Sequence, residues 1–395
     1  MQLIVIVKKL NKRTSVPASL PDPSNIIGVV HEGFRFEGVE VNVAEVVNPS
    51  MGKWYKDRDG FFYWGGGLTE VFEAAPELPA AARDLFEVAE VAEEIAFDQA
   101  KMSWGHQFYN IPSIWSELGT KGKGVIVAVI DTGIDKTHPD LASCIHPKSK
   151  SFIGTEDDII DRDSNHHGTR MAGIISGSGK NKIFGVAPEA QVLVVKATLK
   201  KIGADVNQFT EAVKFVTSIP EVDIVSISYT LKDKPLFKEA IQKCIDANKI
   251  IVAAIGNQRD NDIPVDPDTF PSCYNSGINN TLGNEVIAVG AFDQQKAISG
   301  FSNFNSHLSF IAPGESILTA NENNGSILED GTSIATAFTA GCLALMVAYS
   351  KLHNKPVRDC AKAVLSSCED LTPAGHDTKS GFGFLDLKKA ISKIK

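Results

Sequence analysis

The chain is short of positive charge. Thirty-nine lysines and arginines stand against 48 aspartates and glutamates in 395 residues, a net charge of −9 at neutral pH. Nucleic acids and anionic membranes both select a basic footprint, and no extended basic tract occurs, so neither is expected as the main partner. Long apolar runs are also missing. The opening Met1-Gln2-Leu3-Ile4-Val5-Ile6-Val7 is followed by Lys8 and Lys9; it is too short for an export signal and has no small-residue cleavage site. Nothing approaches the roughly 20 apolar residues of a membrane span, so a cytoplasmic protein without a membrane segment is expected. The six cysteines (144, 244, 273, 342, 360, 368) form no Cys-x-x-Cys pair, and no histidine stands at ligand spacing from any of them. That pattern argues against a disulfide framework or a zinc site. Buried or incidental thiols, no metal and no cofactor are the expectation.

A chain of 395 residues can bury one large core with a small accessory domain. Residues 1–72 carry short alternating runs such as Gly38-Val39-Glu40-Val41-Asn42-Val43, and Asp59-Gly60 stands before the aromatic run Phe61-Phe62-Tyr63-Trp64. Asp-Gly beside aromatic-rich runs predicts a hairpin in a small β domain. Between residues 73 and 102, Leu85, Phe86, Val88, Val91 and Ile95 recur among Glu87, Glu90, Glu93 and Glu94, the pattern of an acidic amphipathic helix. It reads as a linker or as an inhibitory prosegment. From 103 to 395 strand-like and helix-like patterns alternate. Candidate strands are Val125–Ile130, Val192–Val195, Ile224–Ser228, Ile250–Ile255, Val286–Gly290 and Leu308–Ile311; candidate helices are Val206–Thr217, Leu236–Ala247, Ser333–Ser350 and Val357–Ser366. Alternation of this kind predicts an α/β fold, a mainly parallel sheet flanked by helices, preceded here by a small all-β domain.

Three segments carry chemistry. The buried-strand pattern Val125–Ile130 ends in Asp131-Thr132-Gly133, His166-His167-Gly168-Thr169 leads into an apolar helix, and Gly331-Thr332-Ser333 opens a second one. Taken singly, an Asp after a strand forms a turn, a His beside Gly lies on a surface, and a Ser before a helix is a cap. Taken together and in this order, they make residues 103–395 resemble the subtilisin-like serine peptidases. Gly185-Val186-Ala187-Pro188 and Ala312-Pro313-Gly314 extend the resemblance. The N-terminal block resembles bacterial SH3-like β-barrels, in which a Trp such as Trp54 and later aromatics line a peptide groove. Clustered aromatics in so small a domain also serve as its core.

The resemblance implies an endopeptidase acting on extended polypeptide, with Ser333 as nucleophile, His167 as general base and Asp131 as its orienter. Asn257, in Ala253-Ala254-Ile255-Gly256-Asn257, matches the oxyanion-hole asparagine, and Ser228, Tyr229 and Thr230 fall where relatives pair with substrate. Thr230 and Leu231 replace glycines there and imply a narrow pocket for the residue before the cut. Gly179–Phe184 is short and basic where secreted relatives hold calcium, so no ion is expected there, although Asp140 matches one ligand position. Glu156-Asp157-Asp158 with Asp161 and Asp163 reads as a solvated charge run, or as a surface favouring basic substrates. Two further readings stay open: a catalytically silent member of the fold, and an N-terminal region that restrains the enzyme by binding a protein or peptide ligand.

Overall fold

The computed structural model describes residues 101–199, 204–258, 269–274, 286–371 and 374–395, and, within residues 2–70, the backbone of seven strands. The chain divides into two compact units, Met1–Phe86 and Glu87–Lys395. The acidic helix expected between 73 and 102 lies almost wholly outside the described residues.

The first unit contains strands β1 (Gln2–Val5), β2 (Lys9–Arg13), β3 (Ile26–His31), β4 (Arg35–Glu40), β5 (Trp54–Asp57), β6 (Phe62–Trp64) and β7 (Leu68–Glu70). They form one sheet in the order β3-β2-β6-β5-β4-β1-β7, with antiparallel pairing throughout. The Asp-Gly signal falls between β5 and β6, which pair with Trp54 opposite Trp64 and Tyr55 opposite Tyr63.

The second unit is built on a nine-stranded sheet. Its strands are β8 (Ile126–Asp131), β9 (Lys150–Ser151), β10 (Gln191–Lys196), β11 (Ile224–Ile227), β12 (Ile250–Ala254), β13 (Ile287–Phe292), β14 (Phe310–Pro313), β17 (Cys368–Glu369) and β18 (Phe384–Leu385). The order is β17-β18-β14-β13-β12-β11-β8-β10-β9, parallel except for β17. A separate antiparallel hairpin, β15 (Ile317–Asn321) and β16 (Gly325–Glu329), precedes the long central helix. The helices are α1 (Trp104–Phe108), α2 (Ile111–Leu118), α3 (His167–Ser176), α4 (Val206–Thr217), α5 (Pro235–Asp246), α6 (Thr332–Leu352), α7 (Arg358–Leu365) and α8 (Leu387–Ile394).

Strand β8 is apolar from Ile126 to Ile130 because it is covered on both faces. Val127 and Val129 enter one core with α3, α6, α7 and α8, while Ile126, Ala128 and Ile130 enter another with α4 and α5. Alternate residues of β10 divide the same way. Helix α6 lies wholly inside the first core, from Thr332 to Ala348 without an exposed residue. Its Gly341 is pressed so closely to the turn before β10 that a Cβ there would sit 2.6 Å from the Val186 Cβ. By length and composition α6 could cross a membrane, which differs from the expectation that no segment approaches a span; its burial marks it instead as a core helix.

All six thiols are free, with Cys144, Cys244, Cys342 and Cys360 buried. Burial pushes Cys144 and Cys368 up to about 12 and Cys360 to about 11. His106 in α1 is also buried; its Nδ1 meets the Ser103 hydroxyl at 2.9 Å, and burial pulls its pKa down to about 4.

Candidate active site

Sites in such sheets form at the carboxyl ends of the strands where the strand order reverses. Strand β8 is flanked by β10 on one side and β11 on the other. Asp131 is the last residue of β8, Ser228 follows the end of β11, and Asn257 lies three residues past β12. Four of the residues singled out by sequence are thereby brought to one edge by topology: these three, and Ser333 at the amino end of α6 beneath the same strands.

Asp131 and His167 are joined directly. The Asp131 Oδ1 accepts the His167 Nδ1–H at 2.8 Å, with Oδ2 at 3.0 Å, and both residues are buried. The same Oδ1 accepts the Thr132 backbone N–H at 2.7 Å. His167 is the first residue of α3, and the close approach depends on the glycine after it. A Cβ on Gly168 would sit 2.2 Å from the Gly133 carbonyl oxygen and 3.2 Å from the Asp131 Cβ, so only glycine lets the helix end press on the aspartate turn. The Gly168 N–H donates to the Thr132 hydroxyl at 2.8 Å and closes that junction. The carboxylate fixes the imidazole with Nδ1 protonated, which leaves Nε2 as the basic atom; Nε2 has no hydrogen-bond partner among the described residues.

Ser333 is the second residue of α6, where backbone N–H groups have no acceptor within the helix and the dipole favours negative charge. Its hydroxyl donates to the Ser228 carbonyl at 3.3 Å, and the Ser228 hydroxyl donates to the Ser333 carbonyl at 3.2 Å. The structure therefore holds the Ser333 hydroxyl on the β11 segment and not on His167. Catalytic hydrogen bonds of this kind often tighten only when substrate is bound.

Asn257 is exposed and is oriented by the residue before Ser333. Its Oδ1 accepts both the Thr332 N–H at 2.9 Å and the Thr332 hydroxyl at 2.7 Å. Because a backbone N–H can only donate, the oxygen of the amide must face Thr332, and the NH2 is what Asn257 can offer to a ligand. The Thr332 hydroxyl in turn accepts the Gly256 N–H at 3.2 Å. Gly256 has φ +105, a conformation that side-chain-bearing residues rarely adopt.

Thr230 stands on the wall beside this turn. Its methyl lies 3.0 Å from where a Cβ on Gly256 would be, and its hydroxyl accepts from the Gln258 amide at 3.4 Å. Leu231 and Phe270 exchange backbone hydrogen bonds at 2.8 and 3.3 Å. The buried Tyr229 ring lies 5.4 Å from the His167 ring and 5.1 Å from Phe209 of α4.

The contacts of several residues singled out by sequence come only from the fold. Arg170 of α3 reaches the hairpin before α6, with Nη1 2.5 Å from Glu329 and Nη2 3.2 Å from the Asn321 side-chain oxygen. The helix bearing His167 and the segment leading to Ser333 are tied through that guanidinium, through the Thr319 hydroxyl on the Arg170 carbonyl, and through His166 beside Glu322. The acidic stretch is more internal than a solvated run: Asp161 and Asp163 are buried, Asp161 accepts the Thr169 N–H and hydroxyl at 3.0 and 2.8 Å, and Asp158 pairs with Arg162. Asp140 is fully buried and accepts the N–H groups of Asn181, Lys182 and Ile183 at 2.7, 2.9 and 3.2 Å. Its oxygens are occupied by the loop itself. Among the described residues no group of three His, Cys, Asp or Glu side chains is placed to hold a metal ion.

Residues 122–383 match the Subtilase family, Peptidase_S8. The chain is 36% identical over 299 residues to the intracellular serine protease of Paenibacillus polymyxa, covering 73% of this chain and 87% of that protein. It is 35% identical over 268 residues to the major intracellular serine protease of Bacillus subtilis (strain 168), covering 66% and 80% respectively. The solved structure of the prenylagaramide maturation protease PagA superposes with a TM-score of 0.60 at 25% identity, over 72% of this chain and 98% of that one. With the family match running from just before β8 to just before β18, the chain belongs to the subtilase family and is a serine-type endopeptidase acting on polypeptide.

Proposed function

We propose that Ser333, His167 and Asp131 are the working triad of this endopeptidase, and that Asn257 with the Ser333 backbone N–H forms its oxyanion hole. The observation that carries this reading is the buried Asp131–His167 pair at 2.8 Å, with Nε2 left unpartnered among the described residues. On binding of an extended polypeptide, the Ser333 hydroxyl leaves the Ser228 carbonyl and gives its proton to His167 Nε2 as its oxygen attacks the scissile carbonyl carbon. The tetrahedral oxyanion is received by the Asn257 NH2 and the Ser333 N–H. His167 then protonates the leaving amine, the acyl-enzyme forms, and water activated by the same imidazole hydrolyses it. Asp131 stays ionised and offsets the imidazolium charge in each half-reaction.

The backbone of Ser228, Tyr229 and Thr230 pairs with substrate. The Thr230 methyl against Gly256 and the Gln258 bridge to its hydroxyl narrow the wall of the pocket before the cut. Small residues are therefore preferred at that position. The enzyme works in the cytoplasm, in keeping with the intracellular serine proteases it is similar to, and the first unit restrains it through a protein or peptide ligand.

Intact-mass analysis after exposure to a fluorophosphonate tests the triad. One adduct on the wild type and none on Ser333→Ala is the expected result. A folded wild type that takes up no adduct would sink the reading and favour a silent member of the fold, as the Ser333 hydroxyl on Ser228 would then be its permanent state.

A further inference from the structure

The amino end of α3 is capped from outside the helix. The first N–H groups of a helix have no acceptor within it, and the residue just before the helix is their usual partner. Here that residue is His166, which sits in the left-handed region at φ 48° and makes no side-chain cap bond; its Nε2 lies 3.0 Å from Glu322 instead. Two remote side chains supply the acceptors. The Thr132 hydroxyl takes the Gly168 N–H at 2.8 Å, and the Asp161 Oδ2 takes the Thr169 N–H at 3.0 Å. The same Oδ2 accepts the Thr169 hydroxyl at 2.8 Å, and that hydroxyl accepts the Asp135 N–H at 3.0 Å. Asp161 and Thr169 are both buried, and the remaining Asp161 oxygen accepts the Asp163 N–H at 3.1 Å. A carboxylate taken out of water is tolerated only when bonded in this way.

Asp161 is itself fixed to the frame that carries Asp131. Its N–H donates to the Ile134 carbonyl at 3.1 Å, and the Ile134 N–H donates to the Ile159 carbonyl at 2.9 Å, so the segment is laced to the chain just past Asp131. Lys196, the last residue of β10, stands opposite Asp131 in the parallel ladder, is fully buried, and donates from Nζ to the Ile160 carbonyl at 2.6 Å. We propose that Asp161 is a positioning residue of the peptidase: its hydrogen bonds to Thr169 lock the first turn of α3 against the exit of β8. His167 is the residue that turn begins with, so the lock keeps its Nδ1 on Asp131 at 2.8 Å and its Nε2 turned toward the nucleophile. Gly168 permits the close approach of helix and strand; Asp161 supplies the bonds that hold it. This rests on the triad reading given above and adds a residue to it.

The test compares the full-length wild type with Asp161→Ala, Asp161→Asn and, as a control for lost stability, Asp140→Ala, whose carboxylate holds the 181–183 loop. At a temperature where all four are folded, kcat and KM on a peptide are measured together with the rate of fluorophosphonate acylation. Proton NMR follows the His167 Nδ1–H, whose resonance reads the bond to Asp131. In Asp161→Ala, kcat and the acylation rate should fall about 10-fold at an unchanged KM, and the Nδ1–H signal should move. Asp161→Asn keeps an oxygen for Thr169 and should stay within about 3-fold of wild type, while Asp140→Ala should keep its kcat. A kcat for Asp161→Ala within about 2-fold of wild type, or a loss matched by Asp140→Ala, would overturn the proposal. An asparagine variant as slow as the alanine one would overturn the hydrogen-bonding role. Should Asp161→Ala not fold, the isosteric Thr169→Val, which takes the hydroxyl away from Asp161, replaces it with the same expected direction, and a wild-type rate there overturns the proposal. The NMR signal needs no turnover. A wild type inert to fluorophosphonate whose Nδ1–H still moves in Asp161→Ala would refute the triad's activity and leave the Asp161 coupling in place, whereas an unmoved signal in an active enzyme would overturn the coupling alone.

Discussion

Asn257 does two jobs that one pair of substitutions can separate. Its Oδ1 accepts two hydrogen bonds from Thr332, and its NH2 is the group proposed to meet the oxyanion. Asn257→Ala removes both functions. Loss of one oxyanion donor typically lowers kcat by about 10²–10³-fold, equivalent to about 2.7–4 kcal/mol. The structural share is smaller: Asn257 is exposed, so water can replace its oxygen on Thr332 at a cost of about 0.5–1.5 kcal/mol of stability. Asn257→Asp keeps an acceptor for the Thr332 N–H and hydroxyl but presents no donor to the oxyanion. If oxyanion binding is what matters, the aspartate variant is no faster than the alanine variant. If Asn257 serves only to orient Thr332, the aspartate variant recovers most of the wild-type rate. Steady-state kinetics on a chromogenic peptide, with thermal unfolding run in parallel, reads both. A kcat for Asn257→Asp near wild type, or for Asn257→Ala within a few-fold of it, would refute the assignment.

Gly168→Ala should lower kcat by about 10²-fold or more, because a Cβ 2.2 Å from the Gly133 carbonyl oxygen forces the His167 end of α3 away from Asp131; peptidase kinetics and circular dichroism on the folded variant check this, and a near-normal rate would count against it. Stability should fall as pH drops from about 6.5 toward 4. Over that window the unfolded chain protonates His106 while the folded chain, with that imidazole at about 4, does not, a contribution of up to about 3 kcal/mol. Urea midpoints across the window should decline in wild type and flatten in His106→Gln. Asp140→Ala strands three N–H groups and should cost about 2–4 kcal/mol, read by thermal unfolding. In wild type, added calcium should not raise the unfolding temperature through this loop, since the carboxylate is already filled.

The elements buried on two faces were the most legible from sequence, because nothing local competes with their apolar patterns. Helix α4 occupies Val206–Thr217 as its pattern predicts, and strands β10 to β12 shift by a residue or so at their ends. At the far side of the sheet the error grows: Leu308–Ile311 becomes Phe310–Pro313, where Leu308 and Ser309 belong to the approach and not to the ladder. The β15–β16 hairpin left no readable signal. Strand β16 alternates half-buried and exposed residues and includes Ser326 and Glu329, and its place is set by Arg170 from 150 or so residues earlier. In the site, the order of Asp, His and Ser carried the chemistry. What stayed hidden was tertiary: the inward turn of Tyr229, the Thr332–Asn257 link, and the rest position of the Ser333 hydroxyl. The acidic stretch divides for the same reason: Glu156 and Asp157 are exposed as a solvated run expects, while Asp161 is spent on the start of α3.

For four of its six thiols the fold is a redox shield. Cys144 and Cys360, buried and held near 12 and 11, carry almost no thiolate at neutral pH and react slowly with oxidants while the protein is folded. Global unfolding returns the four buried thiols, Cys144, Cys244, Cys342 and Cys360, to about 8.5 and to solvent at once. Oxidation of these four should therefore be gated by the unfolding rate and not by oxidant concentration, and a chain that opens in an oxidising medium would be captured by scrambled cross-links before it could close again.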